Sequence, residues 1–206
     1  MRRAKLGDVY AMHLPNGIKI VQWAYHIPKC GTYIRVFEGL HDAIPANIPE
    51  IVRGEHSYII GFHISRAYRI GLVEFLENIP IPDDQPFPPY RIEFWFYELT
   101  DKFGVWIRPT VMHPCENSNK IYSFEAVNSV MDLPKEFQNV KLMDCFISPS
   151  WLMYLFDYDF NFDNPRRFQP GYGLGEKKDE IMGTYQERVD RLMEADKAKR
   201  SSKEKT

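Results

Sequence analysis

A tight turn between two apolar segments near the start of the chain constrains the fold most. Residues 9–14 and 18–23 each have the composition of a β-strand. Pro15, Asn16 and Gly17 separate them, and an Asn-Gly pair tolerates the positive φ angles that a hairpin turn requires. We therefore predict a β-hairpin here. A strand–turn–strand opening of this kind is common in small, strongly bent β-barrels.

Further segments of the chain have the length and composition of strands. They are residues 58–64, 90–98, 103–108 and 121–127. Ser148 followed by Pro149 is a favourable helix start, because serine caps a helix and proline is tolerated in its first turn. The sequence thus predicts an α+β fold that is mainly antiparallel β, with a bent sheet or small barrel-like core and a few helices.

The last part of the chain predicts an amphipathic helix over residues 176–200. Ile181, Tyr185, Val189 and Leu192 recur at spacings of four, four and three, which places them on one helix face. Such a helix docks on the body of the protein or on a partner. We predict one globular domain at residues 1–163, a hinge with this helix at 164–200, and a disordered polar tail at 201–206.

The charge of the chain is unevenly distributed. The whole chain has a net charge of −2, but residues 6–163 hold 12 Lys and Arg against 20 Asp and Glu, a net charge of −8. An acidic body attracts basic proteins and repels nucleic-acid phosphates, so we expect no nucleic-acid partner. No apolar run reaches the roughly 20 residues of a membrane helix, and no signal peptide is evident. We expect a cytoplasmic protein without a membrane partner.

Motifs of the common enzyme classes are absent from the sequence. It has no glycine-rich phosphate loop, no HExxH or GxSxG motif and no EF-hand loop. The six histidines are scattered singly, and the three cysteines have no CxxC spacing. We therefore predict no catalytic residue, no metal and no cofactor. A hydrolase whose site assembles from distant histidines and acids remains an alternative.

Two acidic segments are candidates for binding another protein. Acids and aromatic residues alternate over residues 157–163, which as a strand would place the acids on one face and the aromatics on the other. This is either an edge strand with its acids in water or an acidic surface for a basic protein. Glu74, Glu77, Asp83 and Asp84 form a second acidic group, which is either a solvated loop or part of the same surface. The candidate partner-binding residues are Asp157, Tyr158, Asp159, Asp163, Glu74, Asp83 and Asp84.

Short motifs in the first half of the chain resemble the immunity protein 26 family of bacteria. That family opens with a Gly-Asp-Val-aromatic strand that runs into a Leu-Pro-Asp/Asn-Gly turn, and it has a proline-flanked stretch before an aromatic strand. The corresponding segments here are Gly7-Asp8-Val9-Tyr10, Leu14-Pro15-Asn16-Gly17, residues 58–64, Asn78-Ile79-Pro80-Ile81-Pro82 and Pro88-Pro89-Tyr90.

The resemblance implies a function in bacterial competition. Immunity proteins of this kind bind the C-terminal toxin domain of a secreted or contact-delivered effector and protect the cell that makes it. Many such toxins are basic nucleases, which an acidic inhibitor would meet rapidly by electrostatic steering. The expectation is therefore non-covalent occlusion of a toxin's active site or substrate path. The alternatives are the hydrolase above and a generic β-barrel module that binds a peptide or nucleic acid.

Overall fold

The computed structural model describes residues 2–27, 31–83, 85–96, 103–109, 122–127, 129–146, 148–158, 160 and 177–203. Its strands are β1 (Asp8–Leu14), β2 (Gly17–Ile27), β3 (Gly31–Phe37), β4 (His56–Gly61), β5 (Glu74–Asn78), β6 (Tyr90–Phe96), β7 (Phe103–Pro109), β8 (Tyr122–Val127) and β9 (Leu142–Phe146). Its helices are α1 (Ile48–Arg53), α2 (Ile64–Ile70), α3 (Pro149–Asp157) and α4 (Lys177–Lys203), and a 3₁₀ turn spans Val130–Asp132.

The strands form one mixed sheet in the order β5-β1-β2-β3-β4-β9-β6-β7-β8. β5 to β4 form an antiparallel group of five strands, and β6, β7 and β8 form an antiparallel group of three. β9 lies between these groups and runs parallel to both of its neighbours. The predicted α+β fold is confirmed. Among the described strands β5 and β8 occupy opposite edges, so the sheet is open rather than a closed barrel.

The predicted hairpin is present as β1 and β2. The two strands pair antiparallel in a register that runs from Leu14 opposite Gly17 to Val9 opposite Gln22. Tyr10 of β1 is buried in the main core, whereas Val9 contributes to a second core cluster on the other side of the sheet. Both faces of β1 are therefore covered over Val9 to Met12, which explains why these four residues are apolar in succession instead of alternating.

The predicted helix start at Ser148 is confirmed. Ser148 caps α3 by accepting a hydrogen bond from the Trp151 N–H over 3.3 Å, and Pro149 occupies the first turn. Residues 152–156 are all buried, so α3 is inserted into the main core rather than lying on its surface.

The C-terminal helix docks on this core through the predicted face. Tyr185 and Val189 of α4 are buried, and Ile181 and Leu192 are partly buried beside them. The amphipathic helix is thus confirmed, and it continues to Lys203, into the segment for which we predict disorder. The predicted hinge at residues 164–175 lies outside the described residues.

Candidate functional site

The first acidic candidate, Asp157, is buried and not exposed. It is the last residue of α3, and only 4% of its surface is accessible. Its Oδ1 accepts a hydrogen bond from the Asn16 N–H at 2.8 Å, and its Oδ2 accepts one from the Tyr185 hydroxyl. The predicted strand with a solvent-facing Asp157 is therefore wrong. In a helix Asp157 lies one turn after Met153 and Tyr154, both fully buried, so the helical period directs it inward.

The residues that follow Asp157 are only partly described. Tyr158 is half-buried, with its ring 5.0 Å from that of Tyr154, and burial together with the charge of Asp157 raises its pKa. Phe160 is buried against Tyr58 in an edge-to-face contact at 5.4 Å, as expected for the aromatic side of this segment. Asp159 and Asp163 lie outside the described residues.

The second acidic group lies at an edge of the sheet. Glu74 begins β5, which occupies one end of the strand order and pairs with β1. Its carboxylate is 2.8 Å from Nε2 of His13, and both side chains are about half exposed. Asp83 is exposed in the loop that follows β5, while Asp84 lies outside the described residues. The structure thus places two of the predicted candidates, Glu74 and Asp83, in solvent.

A buried polar cluster around Asp8 escaped the sequence analysis. The Asp8 side chain is fully buried and accepts hydrogen bonds from both Arg2 terminal nitrogens at 2.5 and 2.6 Å, from the Lys5 N–H at 2.8 Å, from Asn78 at 2.8 Å and from the Tyr10 hydroxyl at 3.1 Å. Burial opposes ionisation, but these donors outweigh it and hold the pKa of Asp8 below its usual range. The cluster ties the N-terminal segment to β1 and β5.

Gly7 completes this arrangement through its backbone. Its N–H donates to the Trp23 carbonyl, and its carbonyl accepts from the Ile79 N–H, each over 2.9 Å. Its φ of 84° lies in the left-handed region, and an added Cβ would lie 2.7 Å from the Ile79 oxygen. The Gly-Asp-Val-Tyr motif thus has a structural explanation here, because glycine allows the close approach and aspartate collects the surrounding donors.

A second buried polar group surrounds Arg35 on β3. The Arg35 guanidinium is fully buried and donates to Gln22 Oε1 at 3.0 Å, to the Gly54 carbonyl at 3.3 Å and to His56 Nδ1 at 3.3 Å. Burial, followed by the charges of Arg35 and Lys141, lowers the pKa of His56 to about 4. His56 is therefore neutral at pH 7 and accepts through Nδ1. Both residues are engaged in structural contacts.

Within the described part of the chain, no three His, Cys, Asp or Glu side chains are arranged to hold a metal ion. None of the described helices combines the length and apolar character needed to cross a bilayer. Cys30 and Cys115 lie outside the described residues. No protein-family model, curated protein or solved structure matches this chain.

Proposed function

We propose that this chain is a bacterial immunity protein, which binds a toxin domain without covalent chemistry and covers its active site or substrate path. The observation that carries the proposal is the acidic edge of the sheet, where β5 presents Glu74 and is followed by the exposed Asp83. An edge strand with charged side chains is protected from non-specific pairing and presents carboxylates to an approaching protein. The motif resemblance described above points to the same function.

Charge supports a basic toxin as the partner. Residues 6–163 have a net charge of −8, and two of their acids, Asp8 and Asp157, are buried in structural contacts. The negative electrostatic potential that a partner meets therefore comes from exposed carboxylates, such as those of β5 and the loop that follows it. Complementary charge raises association rates, and added salt reduces this effect.

The first experiment is protection of living cells. The toxin domain that this proposal places in the neighbouring gene is expressed in a bacterial host with and without the chain. We expect growth only when both are present, with a stable complex on size-exclusion chromatography. Death of the cells despite normal levels of the soluble chain would contradict the proposal.

A charge-reversal variant tests the acidic edge itself. Glu74→Lys, Glu77→Lys and Asp83→Lys together should slow association with the toxin, more strongly at low salt than at high salt. The matched control makes the same charge change at exposed acids on other elements, namely Glu38, Glu136 and Glu187. Equal slowing by both variants would assign the effect to net charge and contradict a binding role for the β5 edge.

The hydrolase alternative has one supporting observation, the pairing of His13 with Glu74 at 2.8 Å. Solvent screens this pair, because both side chains are about half exposed. His13→Gln separates the two functions. We expect it to leave protection against the toxin intact, whereas turnover of a substrate that disappears in His13→Gln would favour the hydrolase.

A further inference from the structure

A basic groove lies between α2 and α4, on elements distinct from the acidic edge. Arg66 and Arg69 of α2 face Lys197 and Arg200 of α4 across an open cavity of about 330 Å³. Ile70 forms part of its floor. Along the sequence Arg66 and Arg69 belong to the acidic body, whereas Lys197 and Arg200 belong to the C-terminal helix, so only folding brings these cations together.

The carboxylates in the groove are fewer than its cations. Asp196 binds Arg200 at 2.9 Å and Arg69 at 3.6 Å, which fixes the position of both guanidinium groups. Glu194 is the other acid that lines the cavity. Arg66 and Lys197 are exposed, and the Arg66 guanidinium lies 3.7 Å from the Met193 sulfur. The groove therefore retains a positive excess that an anionic ligand would neutralise.

A smaller apolar cavity of about 160 Å³ adjoins the groove and shares Arg66, Ile70 and Met193 with it as walls. Its remaining lining includes Phe62, Ala67, Pro149 and Val189. A volume of about 150 Å³ is enough for benzene in an engineered protein cavity, so this one has room for a single apolar side chain.

We propose that this groove binds an acidic segment of a protein partner, with one apolar side chain in the small cavity and neighbouring carboxylates against Arg66, Lys197 and the two arginines held by Asp196. The apolar floor and the adjoining cavity favour a peptide over a nucleic acid. The net charge of −8 over residues 6–163 also repels an extended polyanion beyond the groove. The inference stands apart from the proposed function, because it uses other elements and the opposite charge.

The test uses the full chain and fluorescence anisotropy. The probe is a short fluorescein-labelled peptide of glutamates with one central leucine, and the comparison probes are the same peptide with a central serine and a thymidine oligonucleotide. We expect the leucine peptide to bind about tenfold more tightly than the serine peptide, because only leucine gains from burial. Absence of binding, equal binding of the two peptides, or tighter binding of the oligonucleotide would each overturn the proposal.

Two variants locate the binding. Arg66→Glu with Lys197→Glu should weaken binding of the leucine peptide by about tenfold or more, because both positive charges become negative. This variant leaves the Asp196 contacts intact. The matched control, Arg53→Glu with Lys135→Glu, makes the same charge change at exposed positions outside the groove. Equal weakening by the control would overturn the site. Toxin binding by the groove variant is measured in parallel, so that failure of this inference is distinguished from failure of the proposed function.

Discussion

Tyr185→Phe removes one hydroxyl from the contact between α4 and the end of α3. Tyr185 is 3% exposed and its hydroxyl donates to Asp157, which also accepts from the Asn16 N–H. Burial and Asp157 raise the pKa of Tyr185, so the hydroxyl stays protonated and donates at pH 7. A hydrogen bond to a charged group contributes about 1.5–3 kcal/mol, and the substitution leaves the buried carboxylate one donor short. We therefore expect a loss of about 2 kcal/mol.

The loss is measured by urea unfolding followed by circular dichroism. A change of about 2 kcal/mol corresponds to a fall of about 4–8 °C in Tm for a chain of this size. Asp157→Ala should cost about 3 kcal/mol, because the buried Tyr185 hydroxyl and the part-buried Asn16 N–H lose their acceptor. In that background Tyr185→Phe should cost almost nothing, which gives a coupling energy of about 1.5 kcal/mol or more.

Tyr68→Phe is the matched control, because it removes the hydroxyl of a partly buried tyrosine outside this cluster, whose ring contacts that of Tyr10. We expect it to change stability by less than about 0.5 kcal/mol. The reasoning is refuted if Tyr185→Phe costs as little as this control, or if its cost is the same with and without Asp157. Because Asp157 is buried, reversing its charge would destabilise the fold, so such a variant is unsuitable for testing partner binding.

Two further outcomes follow from buried polar groups and a third from the backbone at Gly7. The pKa of His56 falls from 6.5 to about 4 on folding, so the unfolded chain binds more protons than the folded one between these pH values. The free energy of unfolding should therefore fall by up to about 3 kcal/mol as the pH drops through this window. In urea unfolding, His56→Gln should flatten this pH dependence. Asp8 has a lowered pKa, so its contribution to the free energy of unfolding is present above the ordinary carboxyl pKa and is lost at lower pH. Asp8→Asn should therefore lower the free energy of unfolding by about 2 kcal/mol at pH 7 and by little in strong acid. Gly7→Ala should lower stability by about 2 kcal/mol, measured by thermal unfolding, because of its φ of 84° and the approach to Ile79; an unchanged Tm would contradict the close approach.

Local patterns predicted the elements whose signals lie within a few residues of sequence. The Asn-Gly turn, the start of α3 at Ser148 and the apolar face of α4 were all readable, because turn, cap and helical period depend on neighbouring residues. Strand β9 was not predicted, because its five residues are too few to show a clear hydrophobic pattern. Its parallel pairing between the two antiparallel groups depends on the sheet and has no signal in the local sequence.

The candidate site was less predictable than the fold. Glu74 and Asp83 are exposed, as expected for charged side chains on an edge strand and in a loop. The alternation after residue 156 suggested a strand, yet α3 extends through Asp157 and turns that carboxylate inward. The sequence did hold a signal that Asp157 is buried, because Asp157 follows Met153 and Tyr154 by one helical turn. This helical spacing competes with the strand-like alternation of acids and aromatics that begins at Asp157.

The sequence by itself determined the hairpin, the apolar helix faces and the acidic balance of the body, because each depends on composition or on neighbours along the chain. Only the tertiary structure decided which polar groups meet. Asp157 binds Asn16 across 141 positions of sequence, and the arginines of α2 meet the basic end of α4 across more than a hundred. Such contacts depend on how complete elements pack. This packing buries some charges and gathers others into a groove, which a net charge summed along the sequence does not reveal.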